Sequence, residues 1–74
     1  MGLSVQARII IKFLEENGYV FVRSRGTSHR IYGKNGLTVS VPVHQGHDVP
    51  LGTAVKILKI AGYDRKIFEK WLGR

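Results

Sequence analysis

The chain contains no cysteine, which excludes disulfide bridges and thiolate zinc sites. It also lacks any apolar run near the roughly 18 residues of a membrane span, so we expect no membrane segment. No basic region followed by an apolar stretch and a cleavage site opens the sequence, so a signal peptide is not expected. Because the absence of cysteine fits a reducing compartment, we predict a cytoplasmic protein.

Acidic side chains are also scarce. Five Asp and Glu stand against twelve Lys and Arg among 74 residues, which gives a formal net charge of +7 at pH 7. Such a charge on so small a body favours binding to a polyanion or to an acidic protein, and the alternative is that it serves solubility alone. A chain of this length is expected to form one domain, over residues 1–74.

Hydrophobic periodicity and turn signals predict the element order α-β-β-β-α with a terminal helical extension. A helix is predicted over Val5–Asn17 with Ser4 as its N-cap, then strands over Tyr19–Arg23, His29–Tyr32 and Leu37–Val41, with Asn35–Gly36 as a type I′ turn. After a loop over Val43–Val49, a helix begins near Pro50 and ends at Gly62, and Asp64 caps a short last helix. These elements predict an α+β fold of two layers, in which a three-stranded antiparallel sheet carries the helices on one face.

The turn between the first two strands holds the residues with the clearest chemistry. His29 and Ser28 lie beside a glycine and are flanked by three arginines; the set is Arg23, Arg25, Gly26, Ser28, His29 and Arg30. Imidazole moves protons near neutral pH, and the guanidinium fork matches phosphate oxygens. RNA is the phosphate ester that carries its own nucleophile, the 2′-hydroxyl. We therefore predict RNA cleavage at this turn.

In that reaction His29 is the general base, or the general acid of a scheme with one histidine. Ser28 and the backbone N–H groups around Gly26 contact a phosphate oxygen, and the three arginines bind the RNA backbone or stabilise the transition state. No metal or other cofactor is needed, because the nucleophile belongs to the substrate. No second acid or base is identified from the sequence.

The same residues have a structural interpretation. In an ideal strand His29 lies on the same face as Ile31, so a core position for Ile31 would make His29 a buried, hydrogen-bonded histidine. The arginines would then be solvated charges on the strand surface.

A second cluster follows the third strand: His44, His47 and Asp48 lie within five residues. Two imidazoles and a carboxylate are zinc ligands, yet no regular element fixes their spacing, and an ordinary polar loop is the favoured interpretation. Tyr19, Phe21 and Tyr32 are aromatic residues that could stack on bases, although core packing is expected for at least Phe21. Trp71 is expected to anchor the last helix in the core.

Several motifs resemble those of the HicA-type (YcfA-like) mRNA interferase toxins of bacterial toxin–antitoxin modules. The residues that carry the resemblance are Asn17-Gly18-Tyr19, Arg25–Tyr32, Val39–His44, Gly52-Thr53 and Ile57–Gly62. They come in the family's order and cover about Ser4 to Tyr63, which is nearly the whole chain.

The resemblance implies a fold like that of a double-stranded RNA-binding domain, and a ribosome-independent endoribonuclease held inactive by a HicB antitoxin that covers the active site. The family's catalytic histidine follows a Gly-Ser pair and corresponds to His29. His44 matches a family motif, and it is expected either to line the RNA groove or to form a hydrogen bond within the loop. Here Thr27 stands between Gly26 and Ser28, which departs from the family pattern. The alternatives are a non-catalytic module that binds double-stranded RNA and a domain whose charge serves only an acidic protein partner.

Overall fold

Three antiparallel strands form the main sheet of the computed structural model, which describes residues 3–44 and 48–73. The elements in chain order are β1 (Ser4–Val5), α1 (Ala7–Glu16), β2 (Val20–Arg25), β3 (His29–Lys34), β4 (Leu37–Pro42), β5 (Val49–Pro50), α2 (Leu51–Ile60) and α3 (Arg65–Leu72). The main sheet has the order β2-β3-β4, and β1 pairs with β5 in a separate two-stranded sheet. The predicted α+β class with a three-stranded antiparallel sheet is confirmed.

The β3–β4 hairpin turns at Asn35 and Gly36, whose φ angles are 51° and 81°. Positive φ at both central positions is the requirement of a type I′ turn, which asparagine and glycine meet at low cost. The ladder from Lys34↔Leu37 to His29↔Pro42 is continuous, so this turn sets the register of both strands. The hairpin predicted from these two residues is confirmed.

One face of the sheet is covered by the helices. Helices α1 and α2 both contact β4. Tyr32 and Val39, which are cross-strand partners, belong to the buried cluster beneath the helices, together with Val41. The largest fully buried side chains are Phe13, Phe68, Ile10, Leu14, Leu58 and Val41. Among residues 3–44 and 48–73, no helix has the length and apolar character needed to cross a bilayer.

The start of α1 differs from the prediction. The helix begins at Ala7 and Gln6 occupies the N-cap position without a side-chain cap bond, so the assignment of Ser4 as N-cap is wrong. Ser4 instead pairs with Pro50, and its hydroxyl lies 3.3 Å from Asp48 Oδ2. Its partners are more than forty residues away, and local sequence patterns carry no information about such pairing.

The C-terminal part follows the prediction closely. Gly62 adopts a φ of 102° after α2, and the Asp64 carboxylate accepts a hydrogen bond of 2.9 Å from the Ile67 backbone N–H at the start of α3. Phe68 is fully buried, and Trp71 packs against it while donating from Nε1 to Glu16. The capping role of Asp64 and the anchoring role of Trp71 are both confirmed.

Candidate functional site

His29 lies at the first position of β3, on the face of the sheet that the helices leave uncovered. Neighbouring residues of a strand point to opposite faces. Tyr32 points to the helices, so His29 and Ile31 point away from them. We call this uncovered side the open face. The His29 side chain is exposed.

The structural interpretation of His29 is wrong. Ile31 is buried, at 6% exposure, but it lies outside the buried cluster beneath the helices. Ile31 is therefore buried on the open face. His29 lies two residues earlier, at the end of the strand, and remains accessible. The ring is therefore available to a ligand approaching the open face.

Arg25 and Ser40 join His29 around a depression of about 360 Å³. Arg25 is the cross-strand partner of His29, and Ser40 is the partner of Ile31, so all of them belong to the open face. Directly opposed residues share a face of an antiparallel sheet, which explains the grouping. Sequence reasoning overlooked Ser40, although its alternation with Val39 and Val41 could have placed it on this face.

A β-bulge determines which face the arginines occupy. Phe21 pairs with Tyr32 and Arg23 pairs with Ile31, so Val22 is the extra residue in β2. With regular alternation Arg23 and Arg25 would share the helix side with Phe21. The bulge shifts the register by one residue and transfers both arginines to the open face, where Arg25 is opposite His29 and Arg23 is opposite Ile31.

Gly33 provides space for this bulge. A Cβ atom at Gly33 would lie 3.0 Å from Cγ2 of Val22, closer than side chains normally approach. A glycine inside a strand often marks a bulge or a close approach, and here it marks both.

Arg30 is separated from this group. It pairs with Val41, a core residue of β4, and its alternation in β3 assigns it to the side opposite His29. The structure therefore brings Arg23 and Arg25 to the predicted site but not Arg30, although Arg30 is exposed.

The β2–β3 turn consists of Gly26, Thr27 and Ser28. Gly26 has a φ of 63°, in the left-handed region that favours glycine, and an added Cβ there would meet open space. Ser28 is half-buried, and its carbonyl accepts a hydrogen bond of 2.6 Å from the Val43 N–H. Thr27 is the central residue of this turn. The pair Arg25–His29 is the last pair of the β2–β3 ladder before the turn.

His44 approaches His29 from the chain segment after β4. The two ring centroids are 6.5 Å apart and the ring planes are inclined at 76°. His44 is exposed, and the Val43–Ser28 hydrogen bond holds the preceding backbone against the β2–β3 turn. The second predicted cluster is thereby divided: His44 belongs to the open-face site, whereas Asp48 contacts Ser4.

His47, the remaining member of that cluster, lies outside the described residues. Within residues 3–44 and 48–73, no group of three or more His, Cys, Asp or Glu side chains is arranged to hold a metal ion.

The aromatic residues near the strands are used differently from the expectation. Tyr19 and Tyr32 are buried, at 2% and 3% exposure, whereas Phe21 is 52% exposed. The Tyr19 hydroxyl donates to the Ala61 carbonyl at 2.8 Å, and burial raises the pKa of Tyr19, with a further contribution from Tyr63. The expectation that Phe21 packs in the core is wrong. Its strand β2 lies at the edge of the sheet opposite β4, and β4 is the strand that α1 and α2 contact.

Comparison with known proteins identifies the chain at the level of a family. A family model described as the HicA toxin of bacterial toxin–antitoxin systems matches residues 7–63. This range begins with α1, ends just after α2, and includes every candidate site residue named above. No match is found among curated proteins.

Proposed function

Because this chain belongs to the HicA toxin family of bacterial toxin–antitoxin systems, we propose that it is an endoribonuclease that cleaves mRNA in the cytoplasm. Residues 1–74 act as one toxin domain in this proposal. The exposed His29 imidazole at the depression with Arg25 and Ser40 is the observation that carries it.

The proposed reaction is a transesterification within RNA. His29 removes the proton from a ribose 2′-hydroxyl, and the resulting oxygen attacks the adjacent phosphorus. The negative charge that develops on the phosphorane oxygens needs nearby donors. Arg25 lines the same depression as His29, and Arg23 lies on the same face, so both can contribute. Ser28 and the backbone around Gly26 form the adjoining turn and are proposed to contact the RNA backbone.

The proposed metal independence is based on the source of the nucleophile. The 2′-hydroxyl is part of RNA, so the reaction requires deprotonation of a substrate group rather than activation of a metal-bound water. We propose that cleavage continues in the presence of a chelator. Loss of cleavage in EDTA, with recovery on adding a divalent metal, would contradict this part of the proposal.

A protein of the HicB type is the proposed antitoxin, since a toxin of a toxin–antitoxin family implies a neutralising partner. The open face offers this partner positive charge from Arg23 and Arg25 beside the exposed apolar side chains of Val20 and Val22. A surface that combines apolar side chains with charge is typical of a protein-binding site. We propose that the antitoxin presents acidic residues to this face and blocks access to His29.

Replacement of His29 tests the proposed function. His29→Ala is expected to fold normally, because the side chain is exposed, and to lose RNA cleavage by about 10²–10⁴-fold together with growth arrest. Cleavage is measured on single-stranded RNA in a gel assay, and folding by urea denaturation. Lys66→Ala, on α3, is the control for truncation of an exposed side chain outside the site.

Two results would contradict the proposal. If His29→Ala were as toxic and as active as the parent protein, the catalytic assignment would be wrong. If the parent bound RNA without producing fragments at micromolar concentration, the chain would be a non-catalytic RNA-binding module.

A further inference from the structure

The spacing of His29 and His44 leaves a gap suited to a phosphodiester. Cleavage by the proposed route needs a base at the attacking 2′-oxygen and an acid at the leaving 5′-oxygen. These two oxygens lie roughly in line on opposite sides of the phosphorus. Each imidazole must approach its own oxygen to about 2.6–3.2 Å, so the two rings must be separated by more than one hydrogen bond. A centroid separation of 6.5 Å satisfies that requirement.

The backbone explains why the two rings lie near each other. His29 pairs directly with Pro42, so these residues share the open face. The hydrogen bond from Val43 N–H to Ser28 carbonyl continues the ladder beyond β4, and His44 is two residues beyond Pro42. Strand alternation therefore returns His44 to the side of the sheet that carries His29. Both side chains are exposed, and Arg25 lies on the other flank of His29.

We propose that His44 is the general acid of the reaction, an inference that rests on the proposed role of His29 as the base. In the step, His29 takes the 2′-hydroxyl proton, and the bond between the 2′-oxygen and phosphorus forms. The bond between phosphorus and the 5′-oxygen breaks with its electron pair moving to that oxygen, which receives a proton from the His44 imidazolium. The products are a 2′,3′-cyclic phosphate and a 5′-hydroxyl. Proton exchange with water then restores both imidazoles.

A change of leaving group tests this role directly. The parent and His44→Gln are compared on an oligoribonucleotide whose cleavage position has been mapped with the parent. The second substrate is the same oligonucleotide with sulfur in place of the 5′-bridging oxygen at that position. A thiolate leaves without protonation, so the sulfur substrate does not need a general acid. Single-turnover rates at saturating protein separate the chemical step from binding.

His44→Gln is expected to cleave the oxygen substrate about 10²–10⁴-fold more slowly than the parent. On the sulfur substrate its rate is expected to come within a few-fold of the parent rate. His29→Gln is the matched control, since it removes the base and should remain slow on both substrates. Urea denaturation confirms that each variant is folded, and His44→Ala provides a second variant of the same position.

Two outcomes would overturn the assignment of His44 alone. An equal loss on both substrates would make His44 a phosphate-binding or structural residue, and parental rates on both would leave it without a role. Failure of the proposed function is recognised separately, because then the parent cleaves neither substrate or His29→Gln cleaves like the parent.

Discussion

At the scale of single residues, two arginines of the β2–β3 hairpin lie on different faces of the sheet. Arg25 pairs with His29 and lines its depression, whereas Arg30 pairs with the core residue Val41. Both are exposed arginines within the same hairpin, so removing either one changes the net charge equally. A difference between their variants therefore reports position rather than charge.

We predict that Arg25→Gln slows single-turnover RNA cleavage by about 10- to 100-fold, since a hydrogen bond to a charged group contributes about 1.5–3 kcal/mol. Arg30→Gln is expected to change the rate at saturating protein by less than a few-fold, because its side chain is on the other face of the sheet. Rapid-quench measurements on one RNA substrate provide both rates. Equal losses in the two variants would show that total charge, and not placement, governs the chemical step.

The sequence indicated the turn next to His29, but it did not indicate which face of the sheet each surrounding arginine occupies. Regular alternation puts Arg23 and Arg25 on the side of Phe21, and only the bulge at Val22 reverses this. A bulge is an irregularity of pairing between two strands, so its position is not encoded in the periodicity of either strand alone. Gly33 was the available signal, although it indicates a bulge only once its strand partner is known.

At the scale of elements, the bulge in β2 connects the fold to the site. Val22 occupies the space above Gly33, and the register shift that it produces aligns Arg23 and Arg25 with His29. Glycine is favoured at this position because space is limited and not because of its backbone conformation, since its φ lies outside the left-handed region. Substitution there should disturb the placement of the arginines before it disturbs the core, which lies on the other face.

We predict that Gly33→Val lowers RNA cleavage by at least about 10-fold, the effect expected for losing an arginine contact to the phosphate. The valine side chain would collide with the Val22 methyl group and displace the bulge. The double variant Val22→Ala, Gly33→Ala shortens the side chain at position 22 and adds one methyl group at position 33. It is expected to retain more activity than Gly33→Val, because the two side chains then fit together. Activity and urea stability are measured for both. Full activity in Gly33→Val would show that the bulge does not position the arginines.

The elements predicted correctly share one property: their determinants are local. Asn35–Gly36 defines its turn through the φ angles of two residues, and Asp64 caps α3 through a bond to a residue three positions away. The β1–β5 pair was missed because Ser4 meets Pro50, far away in sequence. Both strands contact α2, and no local pattern reports that packing. Ser4 has the residue type of an N-cap, and tertiary pairing overrode that preference.

At the scale of the whole molecule, the proposed RNA binding is expected to depend mainly on electrostatics. The net charge is +7, and two arginines stand on the same face as His29. Each phosphate neutralised by a cationic side chain releases a condensed counterion, so binding weakens as salt increases.

We predict that the affinity of His29→Gln for single-stranded RNA falls steeply from about 50 to 200 mM salt, with a log–log slope of about −0.7 for each phosphate contacted. Adding Arg25→Gln should reduce the magnitude of that slope by about one such contact. The measurement is fluorescence anisotropy with a labelled oligonucleotide. An affinity that does not change with salt would exclude backbone contacts as the main source of binding.

The helices and the proposed catalytic residues lie on opposite faces of one sheet. Mutations on the two faces are therefore expected to have different consequences. A mutation that removes a buried side chain beneath α1 and α2 is expected to destabilise the fold and to increase proteolysis of the chain. If His29 is catalytic as proposed, a mutation of its exposed imidazole is expected to yield a folded but inactive protein that keeps the surface a neutralising partner would recognise. Such a variant would still bind the antitoxin. A cell that contains both the variant and the parent protein would therefore have less antitoxin available to inhibit the parent.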